Sequence, residues 1–283
     1  MSDKMLASSL PRASPLAPRA WASNALRAVE ARWPEYLIEG AGLGLFMVSA
    51  CLFVALLEFP GSPARGLLED GLARRTLIGL AMGLTAICLV YSPWGKRSGA
   101  HLNPAVTLTF WRLGKIEGWD AAFYVASQFA GGTAGVLLSA AILTPEVIAH
   151  ASVNYALTLP GVQGEPVALA AEAAISFGLM LTVLIVSNRP SINRYTGLFA
   201  GALVATYITV EAPLSGMSMN PARSFASALP PQTWTSLWIY FLGPVAGMLV
   251  AAEVYLRSRR PVLCCKLHHD NEQRCIFRCG YPH

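Results

Sequence analysis

Three stretches of the chain, Thr76 to Gly95, Ala121 to Pro145 and Ser224 to Ala252, contain no Asp, Glu, Lys or Arg. A helix needs about 20 apolar residues to cross a hydrocarbon core ~30 Å thick, so each run is long enough to span a bilayer. One such run could be the buried core helix of a soluble domain. Six candidate spans, at 35–57, 73–93, 120–143, 166–187, 195–213 and 234–256, argue against that reading. Composition agrees. Of the 283 residues 54% are hydrophobic and 13% charged, with a mean hydropathy of +0.47, whereas soluble domains carry about twice that charge fraction. The segments Asn103 to Trp111 and Asn220 to Leu229 are apolar but too short to cross.

Basic residues set the orientation. Of the 21 Lys and Arg, 17 fall on the N-terminal segment, the second and fourth connections and the C-terminal tail, and only Arg65, Arg74, Arg75 and Arg223 lie opposite. The positive-inside bias therefore places both termini in the cytoplasm of a cell (plasma or inner) membrane. The net charge of +5 reports this topology and contact with anionic lipid, and does not point to nucleic acid. Residues 1–33 lack the apolar core of a secretory signal. They read as a cytoplasmic extension ending in an interfacial helix near Trp21 to Trp33, with a faint transit-peptide character in their Arg content.

The chain repeats itself. Glu39 opens the first span and Glu172 the fourth, each followed by an uncharged run. Phe-x-Gly-x-x-x-Gly recurs at Phe129 to Gly135 and Phe241 to Gly247, and GLAMGL (Gly79 to Leu84) pairs with GLFAGA (Gly197 to Ala202). In each half the element Ser-Gly-x-x-x-Asn-Pro-Ala follows, at Ser98 to Ala105 and Ser215 to Ala222. Gly83 to Asn103 is 20 residues and Gly201 to Asn220 is 19, a difference one extra residue in Ser92 to Arg97 explains. The halves, about 34–145 and 166–257, each hold three spans, so the second enters from the opposite side. Such an inverted repeat places a substrate path at the midplane between its halves. The glycines also let helices approach closely.

Asn is a preferred N-cap and Pro is favoured at the first helical position. Asn103, Pro104 and Ala105, and again Asn220, Pro221 and Ala222, thus each start a short helix. Nine residues rise only ~14 Å, so two such helices entering from opposite faces end mid-membrane with their positive N-terminal ends together. The Asn103 and Asn220 amides can each donate a hydrogen bond. Donors without a matching acceptor hold a water oxygen, break a proton wire and, with the dipoles, repel cations.

On this doubled element, in register within an inverted repeat, the chain resembles the aquaporins of the major intrinsic protein family over about Pro34 to Tyr255. The resemblance implies an all-α integral membrane fold of six tilted helices and two re-entrant half-helices, one pore per subunit, assembled as a homotetramer. It implies a second constriction on the extracellular side, where Arg223 stands three residues after Asn220. The other ring positions fall by motif spacing on Met82, Ile208 and Met217, in place of the Phe, His and Cys common in water-selective members. The resemblance also makes Glu39 and Glu172 buried carboxylates that brace the re-entrant loops; proton coupling is the alternative. His101 is expected to pack at the cytoplasmic pore mouth and Gln128 to hydrogen-bond between helices.

The ring and the rest of the pattern point in different directions. Ser224, where glycerol channels usually have Asp, and Tyr240-Phe241, where they tend to have Pro-Leu, favour water. The apolar ring favours a more permissive pore for glycerol, urea, ammonia, hydrogen peroxide or metalloid hydroxides. The expectation is a passive water channel, residues 34–257, without a cofactor, the permissive pore being the alternative. A secondary transporter and a sensor with a vestigial pore are the competing classes. No nucleophile–base constellation or phosphate loop supports an enzyme.

The tail, residues 258–283, lies outside that resemblance. Cys264, Cys265, Cys275 and Cys279 with His268, His269 and His283 are seven soft ligands, a density that suits a tetrahedral zinc site on a reducing cytosolic face. The spacing matches no standard finger. Palmitoylation of Cys264-Cys265 and an unstructured tail are the other readings.

Overall fold

The structure is a computed structural model that describes residues 18–269 and 275–281, with side chains from residue 23 onward. His283 and residues 1–17 of the expected extension lie outside the described residues. Every regular element described is helical. In chain order the helices are α1 (Pro18–Glu58), α2 (Pro63–Leu67), α3 (Gly71–Tyr91), α4 (Pro93–Ser98), α5 (Pro104–Arg112), α6 (Gly118–Ile142), α7 (Pro145–Ile148), α8 (Glu165–Ser187), α9 (Thr196–Val210), α10 (Ala212–Ser215), α11 (Pro221–Ala228) and α12 (Ile239–Arg257).

Among the described residues α1, α3, α6, α8 and α12 are long and apolar enough to cross a membrane. The expected span at 195–213 is shorter than its hydropathy suggests. It forms α9, 15 residues, rising about 22 Å and entered through the 3-10 turn Asn193–Tyr195. Pro213 lacks an N–H for the next helical bond, so the helix breaks at Glu211 and restarts as α10. The expected interfacial helix is also corrected. It is the start of α1, which runs unbroken through Pro34 for 41 residues. Packing explains the continuity: Arg32 pairs with the fully buried Asp120, which also accepts from the Tyr36 hydroxyl at 2.6 Å.

The two halves pack alike. Helix α1 lies along α6 and α8 along α12, while α3 and α9, the same element of each repeat, lie along one another. Small residues set these distances. A Cβ built on Gly131 would stand 1.9 Å from the Gly40 carbonyl oxygen. Between α3 and α9 the contact is reciprocal, Gly83 against the Gly201 carbonyl at 2.5 Å and Gly201 against that of Gly83 at 2.6 Å, as a two-fold axis requires. Inside this frame α5 and α11 enter as half-helices of 9 and 8 residues.

Overpacking of this kind costs about 1–3 kcal/mol and more where backbone is the obstacle. Gly131→Ala is expected to lower the thermal unfolding midpoint in detergent clearly. Gly66→Ala, where a Cβ meets nothing within 4 Å, is expected to leave it unchanged in the same fluorescence melt.

Candidate functional site

Each Ser-Gly-x-x-x-Asn-Pro-Ala element leaves its short helix through a left-handed glycine, Gly99 at φ 95° after α4 and Gly216 at φ 81° after α10. Left-handed residues then alternate: Ala100 and Leu102 at φ 54° and 49°, Met217 and Met219 at 53° and 56°. Such backbone costs a non-glycine residue about 1–3 kcal/mol and persists only where it is held.

Glu39 and Glu172, both fully buried, do the holding. Glu39 Oε1 accepts from Ser98 Oγ (2.8 Å) and the His101 N–H (3.0 Å), and Oε2 from the Leu102 N–H (2.6 Å) and Gln128 Nε2 (2.9 Å). Glu172 Oε1 accepts from Ser215 Oγ and the Ser218 N–H, both 2.7 Å, and Oε2 from the Met219 N–H at 2.7 Å. Two tyrosines complete the frame, Tyr124 donating to the Ser98 carbonyl (2.7 Å) and Tyr240 to that of Ser215 (2.6 Å). The repeated Ser-Gly pairs could have pointed to these partners; the tyrosines could not be matched without the fold.

The half-helices meet where these loops end. Asn103 Oδ1 caps α5 through the Ala105 N–H (2.8 Å), and Asn220 Oδ1 caps α11 through the N–H groups of Ala222 (3.1 Å) and Arg223 (3.2 Å). Pro104 and Pro221 follow as the first helical residues. Each Asn amide then reaches across the axis, Asn103 Nδ2 to the Met219 carbonyl (2.6 Å) and Asn220 Nδ2 to the Leu102 carbonyl (2.8 Å). An amide has two N–H donors, so each Asn has one left for the cavity of about 110 Å³ that both line.

Two ends of the passage differ. Away from the tail, a cavity of about 310 Å³ is lined by Met82, Ile208, Met217 and Arg223 together, with the apolar Phe46, Ala50, Val54 and Ile78 and the polar Glu58, Arg75, Ser152 and Asn154. All four residues singled out by spacing converge there. Arg223 Nη1 is buried without a hydrogen-bond partner among the described residues. Ser224 is turned aside, its Oγ 2.7 Å from Thr158 Oγ1 and 2.6 Å from Ser218 Oγ.

At the other end the tail folds back onto the body. His101, in contact with it, stacks on Phe110 (5.2 Å) and Phe277 (5.7 Å) and donates from Nε2 to the Cys265 carbonyl (2.9 Å). The Leu267 N–H donates to the Gly99 carbonyl at 3.1 Å, and its side chain lines the same cavity as Asn103 and Asn220. Of the six described residues among the seven tail ligands, Cys264, His269, Cys275 and Cys279 come together. Cys265 and His268 do not: the first points its thiol at the Lys115 carbonyl (3.7 Å), and the second sits edge-on to Tyr91 (5.0 Å). Cys264 and Cys265 are both buried in the protein.

Residues 28–255 match the family described as Major intrinsic protein. The chain belongs to that family. It is therefore a multi-pass membrane channel and not an enzyme. Among similar proteins, Aquaporin NIP2-3 of Zea mays is 34% identical over 220 residues, 77% of this chain and 70% of that one. The probable aquaporin AqpM of Archaeoglobus fulgidus is 34% identical over 191 residues, 65% of this chain and 77% of that one. The fold is similar to the X-ray structure of the aquaglyceroporin from Plasmodium falciparum, with a TM-score of 0.65 at 20% identity over 80% of this chain and 96% of that one.

In this channel Glu172→Gln replaces one acceptor oxygen with an NH2 donor that faces a buried N–H or hydroxyl, and each donor so orphaned costs about 1–3 kcal/mol. A lower melting midpoint and a reduced monodisperse yield are expected. Chromatography and thermal unfolding of the purified variant would show both, and an unchanged melt would remove the brace.

Proposed function

We propose that this channel passes water together with small neutral solutes of the glycerol and urea class, and excludes ions and protons. The observation that carries the reading is the convergence of Met82, Ile208, Met217 and Arg223 on one cavity. Three of these side chains are apolar and offer a permeant no donor and at most a weak thioether acceptor. The fourth is the guanidinium-bearing Arg223, only partly buried and lining the cavity, a donor to a hydroxyl or carbonyl oxygen and a repeller of cations. A ring of flexible thioethers and one branched alkyl group accommodates carbon-bearing solutes, and no imidazole from α9 competes for water. The dedicated water channel draws on the hydrogen-bonded Ser224 and on Tyr240, but neither side chain is among the residues lining that cavity.

Proton exclusion rests on the Asn pair. Asn103 and Asn220 spend their oxygens on their own helices and one N–H each on the opposite loop. Each therefore meets a permeating water as a donor, which orients its hydrogens away from the centre. With the basic residues read as cytoplasmic, the Arg223 constriction is extracellular and the tail lies in the cytosol. The channel unit is residues 34–257, and a homotetramer is the assembly consistent with its family.

Stopped-flow of proteoliposomes under opposed sucrose and glycerol gradients tests this. Shrinkage faster than in empty vesicles, followed by glycerol re-swelling, is expected, with no dependence on a proton gradient. Re-swelling as slow as in empty vesicles would return the channel to water alone. Arg223→Ala is expected to raise glycerol flux or admit monovalent cations, read by the same shrinkage assay and by vesicle conductance.

A further inference from the structure

We propose that Cys264, His269, Cys275 and Cys279 form a tetrahedral zinc site, and that the bound ion clasps the tail over the cytoplasmic mouth of the pore. The second half of this rests on the channel reading above; the first does not.

The four ligand atoms, one per residue, all lie within 4.8 Å of one another. Cys264 Sγ is 3.7 Å from Cys275 Sγ, and His269 Nε2 is 3.1 Å from Cys279 Sγ. With zinc–sulfur bonds of about 2.3 Å and zinc–nitrogen bonds of about 2.0–2.1 Å, a tetrahedron has S···S edges of about 3.8 Å and S···N edges of about 3.5 Å. The cluster thus needs shifts of tenths of an ångström to a little over one. Three thiolates and an imidazole select a borderline-soft ion over magnesium or calcium, and a reducing cytosol keeps the thiols available.

The ligands are also oriented from outside, as metal-binding histidines and thiols usually are. The His269 ring stacks on Tyr281 at 4.4 Å. Tyr281 donates to the Ser187 carbonyl and accepts from Asn193 Nδ2 at 3.0 Å. The Gly280 N–H reaches the Leu263 carbonyl at 2.8 Å, which ties the two ligand-bearing segments of the tail side by side. No regular helix or strand forms at 261–269 or 275–281, yet Cys264, Cys265 and Lys266 are at most 2% exposed. Hydrogen bonds to Gly99, Lys115 and Asn188 hold the segment, and an ion shared by its two halves would add its binding free energy to that docking.

The cross-link sits where it controls the mouth. Between ligands Cys264 and His269 runs the stretch that touches the pore: the Cys265 carbonyl on His101, Lys266 Nζ on the Lys96 carbonyl at 2.8 Å, and Leu267 against the cavity of the Asn pair. Fixing both ends of that loop to Cys275 and Cys279 keeps Leu267 in the passage. Loss of the ion frees it.

The test uses the full chain purified without a polyhistidine tag. About one zinc per chain by mass spectrometry is expected, with cobalt exchange giving thiolate charge-transfer and tetrahedral ligand-field absorption. Cys275→Ser/Cys279→Ser is expected to lose the zinc, while Cys88→Ser, a thiol elsewhere in the membrane body, keeps it. Zinc-free wild type, or equal zinc in the double variant, would overturn the site. In vesicles, stripping wild-type protein with a membrane-permeant zinc chelator is expected to raise solute flux severalfold, and zinc to reverse it; equal flux in both states would overturn the clasp. Flux no faster than through empty vesicles in both states would count against the channel reading instead, the zinc stoichiometry being decided independently.

Discussion

Everything at the centre of this channel depends on two buried carboxylates. A bilayer offers no water to a backbone group, so a chain that turns back halfway must find its hydrogen-bond partners within the protein. Glu39 and Glu172 are those partners. Each gathers a serine hydroxyl and two successive N–H groups from a loop whose residues alternate into left-handed backbone. Without them the loops would present orphaned donors to the membrane interior, and the half-helices would have no fixed starting point. The carboxylates stand on α1 and α8, themselves packed against α6 and α12, so the pore centre inherits the rigidity of the outer helices.

The inverted repeat then divides labour unequally. At the centre symmetry is kept, because the Asn103 and Asn220 amides hold each other's loops across the axis. Outward from that point it is lost. One mouth is faced by Arg223 and three apolar side chains, the other by His101 and a segment of tail that belongs to neither repeat. The ends and the middle thus offer different chemistry: an apolar ring with one guanidinium at one mouth, a pair of amide donors at the centre.

Legibility followed the same division. The Asn-Pro pairs, Glu39, Glu172 and the glycine motifs could be read because each is a local chemical rule written twice, and repetition separates a rule from chance. Met82, Ile208, Met217 and Arg223 were singled out by motif spacing under the family resemblance, and all four line one cavity. Span ends were less legible. Hydropathy continues past Val210, but Pro213 stops the helix first, and Trp21 to Trp33 merges into α1 because Arg32 and Tyr36 find Asp120 88 and 84 residues away. Tyr124 and Tyr240 were invisible as a pair, their common role being a carbonyl contacted only after folding.

By itself the sequence determined the class of structure: uncharged runs of membrane length, an odd number of spans per repeat, and two capped half-helices whose N-termini must face one another. Those follow from hydrophobic length and local capping, which involve neighbours along the chain. Only the tertiary structure decided which tail ligands meet, since Cys264 and Cys279 are joined by packing against loops at Gly99, Lys115 and Ser187 that no spacing rule connects to them. It also decided that Leu267 reaches the pore, because long-range contact depends on how far each loop projects, and that distance is set by the packed helices beneath it.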